Sequence, residues 1–266
     1  MFDLLALEAE LAGTIFAGNL HFVRSTGSTN SDAIAAARGD AQHIGAPHGS
    51  VYFADEQLAG RGRGNHGWIS VAGEGLYVSV LLRPQIPASR LALLPLAAGL
   101  AAAEAIHTVA GLTVDLRWPN DLLIGPRKAG GILVEANLES KSLSYAVVGI
   151  GINVHQHAFP PGLATPATSL DLEAGRAISR QTLLVALLKS LECETQALAD
   201  ATAVKEIPAR VEQASTWIRG RNVQVHGPQS CTGVTAGLDE NGFLRVATAE
   251  GLVTVQTGGL RAAEKD

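Results

Sequence analysis

Apolar and polar positions along the chain follow two periods, and the periods change over at identifiable punctuation. Residues 3–17 place apolar side chains at helical spacing and predict an amphipathic helix. His21-Phe22-Val23-Arg24 reads as a strand. Ser28 or Thr29 offers an N-cap for a helix through Ala33–Ala37. Val51–Ala54 and Leu76–Leu82 read as strands. Pro84 and Pro87 mark a linker. A helix rich in alanine and leucine is predicted from Ser89 to about Ala110, with Pro95 in its first turns or kinking it. Strands follow at Val114–Trp118, Leu122–Ile124, Gly130–Glu135 and Leu143–Val154. Residues 155–168 read as a loop. Ser179 caps a helix to about Ala199, and another spans about Thr202–Ala214. Near Trp217 the pattern changes. Val223–Val225, Gly233–Ala236, Phe243–Val246 and Leu252–Val255 are short strands between glycine turns, with Asn241-Gly242 a hairpin signal. The chain divides into an α+β part, residues 1–216, and a small barrel, residues 217–266.

One stretch resists this periodic reading. Gln57–Trp68 contains Gly60-Arg61-Gly62-Arg63-Gly64 and ends at Trp68. It predicts a flexible cationic loop between two strands. Glycine lets backbone N–H groups turn toward a ligand, and the arginines offer forked donors for phosphate or carboxylate. Gly62-x-Gly64-x-x-Gly67 fits a dinucleotide fingerprint in letters only, because Trp68-Ile69-Ser70-Val71 does not start a helix. The chain has no Gly-x4-Gly-Lys-Ser/Thr P-loop. Taken alone, the stretch could also be a solvated turn or, less readily, an RGG-like nucleic-acid segment.

Composition narrows the choice. The chain has 266 residues, 47% hydrophobic and 17% charged, with a net charge of −5. That acidic balance gives no general nucleic-acid footprint. Cys193 and Cys231 form no CxxC or metal spacing and read as reduced bystanders of a cytoplasmic protein. His155 with His157 is not read as a metal pair, nor Glu104 with His107 as a catalytic pair. The acidic N-terminus lacks the basic start of a signal peptide. Leu91–Ala103 is too short to span a bilayer, and no membrane association is expected.

Further motifs supply the chemistry. Ser28-Thr29-Asn30 lies upstream of the glycine stretch. Arg117-Trp118-Pro119-Asn120-Asp121, then Lys128-Ala129-Gly130-Gly131-Ile132-Leu133, then Gly149-Ile150-Gly151-Ile152-Asn153 lie downstream. In this order and spacing the set resembles the biotin protein ligases, from about residue 21 to the C-terminus. The resemblance implies a mixed β-sheet flanked by helices, of class II synthetase-like type, followed by an SH3-like C-terminal barrel. It implies that Ser28, Thr29 and Asn30 bond the ureido ring of biotin. Gln57, Arg61, Gly62, Arg63, Lys128, Gly131, Gly149 and Gly151 would complete that site. Arg61, Arg63, Trp68, Arg117, Asn120 and Asn153 would serve the nucleotide.

The implied reaction has two steps. The biotin carboxylate attacks the α-phosphate of ATP, giving biotinyl-5'-AMP and pyrophosphate; an acceptor lysine then displaces AMP. The first step gathers anions, so neutralisation by Arg61, Arg63 and Lys128 is the main requirement, with Mg²⁺ on the phosphates. Asp121 is the candidate to orient or deprotonate the lysine. The implied acceptor is the biotin carboxyl-carrier protein of acetyl-CoA carboxylase or of another biotin-dependent carboxylase. About 20 residues precede the first strand, as in the short, catalysis-only form without a DNA-binding domain; a monomer and a homodimer both remain open. Many family members read Gly-Arg-Gly-Arg-x-Gly-Arg-x-Trp, whereas this chain has Asn65 and His66 at the second Gly-Arg. The alternatives are a lipoate or octanoate ligase and a non-catalytic biotin-responsive regulator.

Overall fold

The computed structural model describes residues 2–39, 45–139 and 142–263. Seven strands form one sheet: β1 (Leu20–Thr26), β2 (Ser50–Gln57), β3 (Gly75–Leu82), β4 (Asp115–Arg117), β5 (Asp121–Ile124), β6 (Arg127–Glu139) and β7 (Ser142–Asn153). Their spatial order is β1-β2-β3-β7-β6-β5-β4. The β1–β2 pair is parallel and the others antiparallel, so the sheet is mixed as expected. β3 is buried along its whole length between β2 and β7.

The period-2 alternation of β3 decides what each face carries. Leu76, Val78, Val80 and Leu82 face the main core, which also takes α3 (Leu94–Ala110) and α5 (Arg180–Ala199). Leu81 faces the other way, with Tyr145 and Val147 of β7, under Ala33 and Ala37 of α2 (Thr29–Arg38). Tyr77 and Ser79 share that second face. Register sets Ser79 opposite Gly149, and Tyr77 opposite Gly151. Gly131, Leu133 and Glu135 of β6 stand opposite Gly151, Gly149 and Val147. The alanine side of α2 covers only part of this face, and the cleft lies beyond its N-terminus.

Several helices depart from expectation. α1 (Leu4–Glu10) is short, and turns replace the helix predicted to residue 17. Gly13 and Gly18 adopt φ of 84° and 75°, which a helix does not tolerate. Residues 202–214 divide into a 3₁₀ turn, Ala203–Glu206, and α6, Ile207–Gln213. Pro208 sits in the first turn of α6, where its missing donor costs nothing. A short helix, α4 (Leu170–Ala174), was not anticipated. Ser179 caps α5 as expected, accepting from the Thr182 N–H.

The run Ala88–Ala110 combines a 3₁₀ turn with α3. By length and composition it could cross a membrane, which corrects the reading that no apolar run is long enough. Pro95 is tolerated in the first α turn, so the run is not broken there. Of its most apolar stretch, 61% is buried inside the fold. Its apolar character serves the core.

A second, antiparallel sheet comprises β8 (Arg219–His226), β9 (Cys231–Leu238), β10 (Leu244–Thr248), β11 (Gly251–Val255) and β12 (Gly259–Ala262), in the order β11-β10-β9-β8-β12. It matches a small barrel-like unit, with β12 one strand more than the sequence pattern showed. Asn241-Gly242 forms the expected turn, held by Asp239 Oδ1, which accepts from the N–H groups of Asn241 and Phe243. The Trp118 indole donates to Gly242 O at 3.0 Å and joins this turn to the large sheet.

Candidate active site

The cleft over the uncovered sheet face has a volume of about 850 Å³. Its lining includes every site residue expected from the sequence: Ser28, Thr29, Asn30, Gln57, Arg61, Gly62, Arg63, Trp68, Arg117, Asn120, Asp121, Lys128, Gly131, Gly149, Gly151 and Asn153. Their environments differ, and some differ from expectation.

The first wall is the start of α2. Ser28, Thr29 and Asn30 are all buried. Ser28 holds the N-cap position but makes no side-chain cap bond. The Thr29 hydroxyl lies 3.0 Å from Gln57 Oε1 and 2.7 Å from Ser79 Oγ. Ser79 Oγ donates to Asn30 Oδ1 at 2.5 Å. Asn30 Nδ2 donates to Glu135 Oε2 at 2.9 Å. Gln57 Nε2 donates to Ser70 Oγ at 2.8 Å. A chain of polar groups is thereby fixed where neighbouring positions of the same sheet face are apolar.

The glycine stretch is not an open loop. Residues 57–70 form a pinched antiparallel ribbon with bridges Gln57–Ser70 and Arg61–Gly67. Trp68 N–H donates to Gly60 O at 2.8 Å, and Gly62 N–H to His66 O at 2.7 Å. Those N–H groups are spent within the ribbon and do not turn toward a ligand. A Cβ at Gly60 would lie 2.3 Å from Trp68 O, so the ribbon requires glycine there. Arg63–Asn65 make a 3₁₀ turn at the tip.

Glycines on the sheet floor make room for side chains. A Cβ at Gly149 would meet Asn30 Oδ1 at 2.1 Å, and one at Gly151 would meet Trp68 Nε1 at 2.5 Å. The indole lies across Gly151 and close to Gly131, with Lys128 Nζ 5.5 Å from its ring centroid. Asn30 and Trp68 thus cover Gly149 and Gly151 on the cleft side.

The cations occupy distinct electrostatic states. Arg61 is bidentate to Glu135, at 3.0 and 2.6 Å. Lys128 Nζ lies 2.5 Å from Asp121 Oδ1, and Arg117 Nη2 lies 2.6 Å from Oδ2. Arg117 also donates to Thr165 Oγ1 and lies over the Trp217 ring. Arg63 instead donates to Gly258 O and Thr257 Oγ1, both neutral. Among the described residues no carboxylate forms an ion pair with it. Burial lowers the Arg63 guanidinium from its ordinary value, and Asp121 opposes the shift. Burial is the largest influence on the Asp121 carboxyl and raises it. Lys128 and Arg117 together outweigh that and hold it below its ordinary value.

Two asparagines serve the framework. Asn120 Nδ2 donates to Ile132 O at 2.9 Å and holds the turn after β4 against β6. Asn153 Nδ2 donates to Thr168 O at 3.0 Å and closes the base of the 155–168 loop. Sequence reasoning missed Ser79, Glu135, the Phe159–Thr165 wall, and the His226–Pro228 and Thr257–Arg261 wall from the second sheet. Ser79 and Glu135 could have been found by their two-residue spacing from Tyr77 and Leu133 on the cleft face. The distant walls carry no local signal.

Comparison with known proteins places the chain in a family. The model of the biotin/lipoate A/B protein ligase family matches residues 22–153. The bifunctional ligase/repressor BirA of Bacillus subtilis is 34% identical over 81% of this chain, and the match spans 66% of that protein, just under two thirds. The biotin–[acetyl-CoA-carboxylase] ligase of Mycobacterium tuberculosis is 32% identical over 90% of this chain and 87% of its own length. The structure of the Aquifex aeolicus biotin protein ligase in complex with biotin and ATP superposes with a TM-score of 0.78 at 30% identity, covering 92% of this chain and 100% of that one. On the extent of these matches, the chain belongs to the biotin/lipoate A/B protein ligase family.

Proposed function

We propose that this protein joins biotin to a lysine of a carboxylase biotin-carrier domain, using ATP and passing through biotinyl-5'-AMP. The observation that carries the reading is the composition of the cleft: a fixed polar chain at one end and a cation cluster at the other. Hydroxyl and amide groups of Ser28, Thr29 and Asn30 suit the neutral ureido ring, which both donates and accepts. The indole of Trp68 gives an apolar wall between the two ends. A carboxylate cannot acylate an amine directly, because its leaving group would be oxide; adenylation supplies AMP as leaving group.

The first step brings the biotin carboxylate to the α-phosphate. Arg63 is the residue best prepared for the charge that builds there. It is partly desolvated, and its direct partners leave its charge uncancelled. Lys128 reaches the same region and is aimed by Asp121. Asp121 is a weak base while two cations hold it acidic, so its role is to orient Lys128 rather than to deprotonate the acceptor lysine. Magnesium would arrive with the phosphates of ATP. Among the described residues no group of three or more His, Cys, Asp or Glu side chains could hold it, and no step is assigned to it. A carboxylase as acceptor is supported by the Mycobacterium relative, a biotin–[acetyl-CoA-carboxylase] ligase.

The test is ATP–pyrophosphate exchange with biotin, lipoate or octanoate added separately. Biotin-dependent exchange is expected. Exchange with a fatty acyl substrate would move the protein to the lipoyl branch, and exchange with none in a folded sample would refute adenylation.

A further inference from the structure

Glu135 follows the Lys128–Leu133 motif on β6 and carries no role in the reaction described above. Three hydrogen bonds converge on its carboxylate from two separate elements. Arg61 Nη1 donates to Oε1 at 3.0 Å and Arg61 Nη2 to Oε2 at 2.6 Å. Asn30 Nδ2 donates to the same Oε2 at 2.9 Å. One carboxylate thus bridges the start of α2 and the glycine ribbon, which lie on either side of the cleft floor. The bridge also settles the Asn30 amide. With its nitrogen toward Glu135, its oxygen accepts from Ser79 at 2.5 Å. The reversed amide would set a carbonyl against a carboxylate. Arg61 is 41% exposed and, in the ribbon, has no other side-chain hydrogen bond among the described residues. Its fork is held by this carboxylate alone.

We propose that Glu135 is a positioning residue, which fixes the Asn30 amide and the Arg61 guanidinium as one unit. The inference rests on the ligase reading, in which Asn30 meets the ureido ring and Arg61 the adenylate. Filling either end then orders the other, so biotin and ATP assist each other's binding through Glu135. An ion pair with this much exposure adds little to stability, so the effect belongs to substrate binding.

The test is biotin-dependent ATP–pyrophosphate exchange by the parent, Glu135→Gln, Glu135→Ala, Arg61→Ala and the Glu135→Ala/Arg61→Ala double variant, alongside thermal unfolding. Glu135→Ala is expected to raise the biotin KM roughly tenfold, the worth of a lost charge-assisted bond. The kcat is expected to stay within about threefold, since Glu135 touches no reacting atom. Glu135→Gln keeps the shape and one acceptor, and gives a smaller rise in the same direction. In the Arg61→Ala background the Glu135→Ala penalty shrinks, because half of what it positions is already gone. Unchanged biotin KM in both Glu135 variants overturns the inference. So does an undiminished penalty in the Arg61→Ala background, or a lower unfolding midpoint with parent-like KM. If Glu135→Ala does not fold, Glu135→Gln decides the matter alone. Failure of the parent to exchange with biotin is a different result: it overturns the ligase reading, and the Glu135 inference with it.

Discussion

Gly149 and Gly151 are neighbours on one face of β7, yet they accommodate different partners, and a single added methyl group at each would distinguish the proposed biotin and nucleotide sites. In Gly149→Ala the new Cβ would stand 2.1 Å from Asn30 Oδ1. Ordinary contact begins near 3.4 Å, so Asn30 must retreat by about 1.3 Å (3.4 − 2.1). It cannot do so freely. It is 4% exposed and bonded to Ser79 at 2.5 Å and Glu135 at 2.9 Å. The displacement stretches both bonds beyond useful length. At about 1 kcal/mol for a neutral bond and about 1.5–3 for one to a charge, the cost is roughly 2–4 kcal/mol. If Asn30 meets the ureido ring, biotin affinity falls roughly thirty- to several-hundred-fold, at about 1.4 kcal/mol per decade. In Gly151→Ala the Cβ would stand 2.5 Å from Trp68 Nε1. That indole nitrogen has no hydrogen-bond partner among the described residues to lose. The ring can tilt by about 0.9 Å (3.4 − 2.5), weakening its cation–π contact with Lys128, worth about 0.5–1.5 kcal/mol at a half-buried site. ATP affinity should therefore fall about two- to tenfold, with biotin affected less. Titration calorimetry of each variant with biotin and with ATP, beside its unfolding curve, reads both effects. A folded Gly149→Ala that binds biotin within about threefold of the parent would refute the placement of Asn30 in the biotin site, since no easy retreat is open to it.

Four further outcomes follow from the same geometry. Lys128→Ala should fold, because the residue is partly exposed and Arg117 still pairs Asp121, yet lose at least about a hundredfold in exchange rate; a parent-like rate removes it from the reaction. The Asp121 carboxyl is held below its ordinary value of 3.8, so the stability it contributes is present above that pH and is lost as pH falls through the lower folded value. The unfolding free-energy difference between parent and Asp121→Asn should accordingly stay flat from pH 5 to 8 and shrink only under more acid conditions; a slope near neutrality contradicts the assignment. His66→Arg restores a cation found in many family members and should slow release of the adenylate, measured by trapping free biotinyl-AMP; equal release rates defeat that idea. Trp118→Phe removes the indole bond to Gly242 O and should cost about 1–2 kcal/mol in chemical denaturation, while no loss would mean the two sheets are not joined there.

What the sequence disclosed and what it hid divide along contact range. Strands β3 and β7 were legible because alternation and glycine spacing are local, whereas the candidate cleft residues came from the motif resemblance. The tryptophan and glycines were legible as types, but their relation was not. Gly151 faces Trp68 across 83 positions (151 − 68), and the requirement for glycine is set by an indole from another element. Arg61 and Arg63 are two residues apart and look equivalent as cationic forks. The fold pairs one with Glu135, 74 positions away, and the other with neutral oxygens 194 and 195 positions away. Nothing in their own neighbourhood distinguishes them, because charge state in a cleft depends on which partners long-range folding brings up. Asp121 shows the same limit from the other side. A carboxylate at the end of a strand, beside a proline turn, reads as a candidate base. Only the convergence of Arg117 from β4 and Lys128 from β6, which lowers the carboxyl against the effect of burial, argues against that reading and for a part in aiming Lys128.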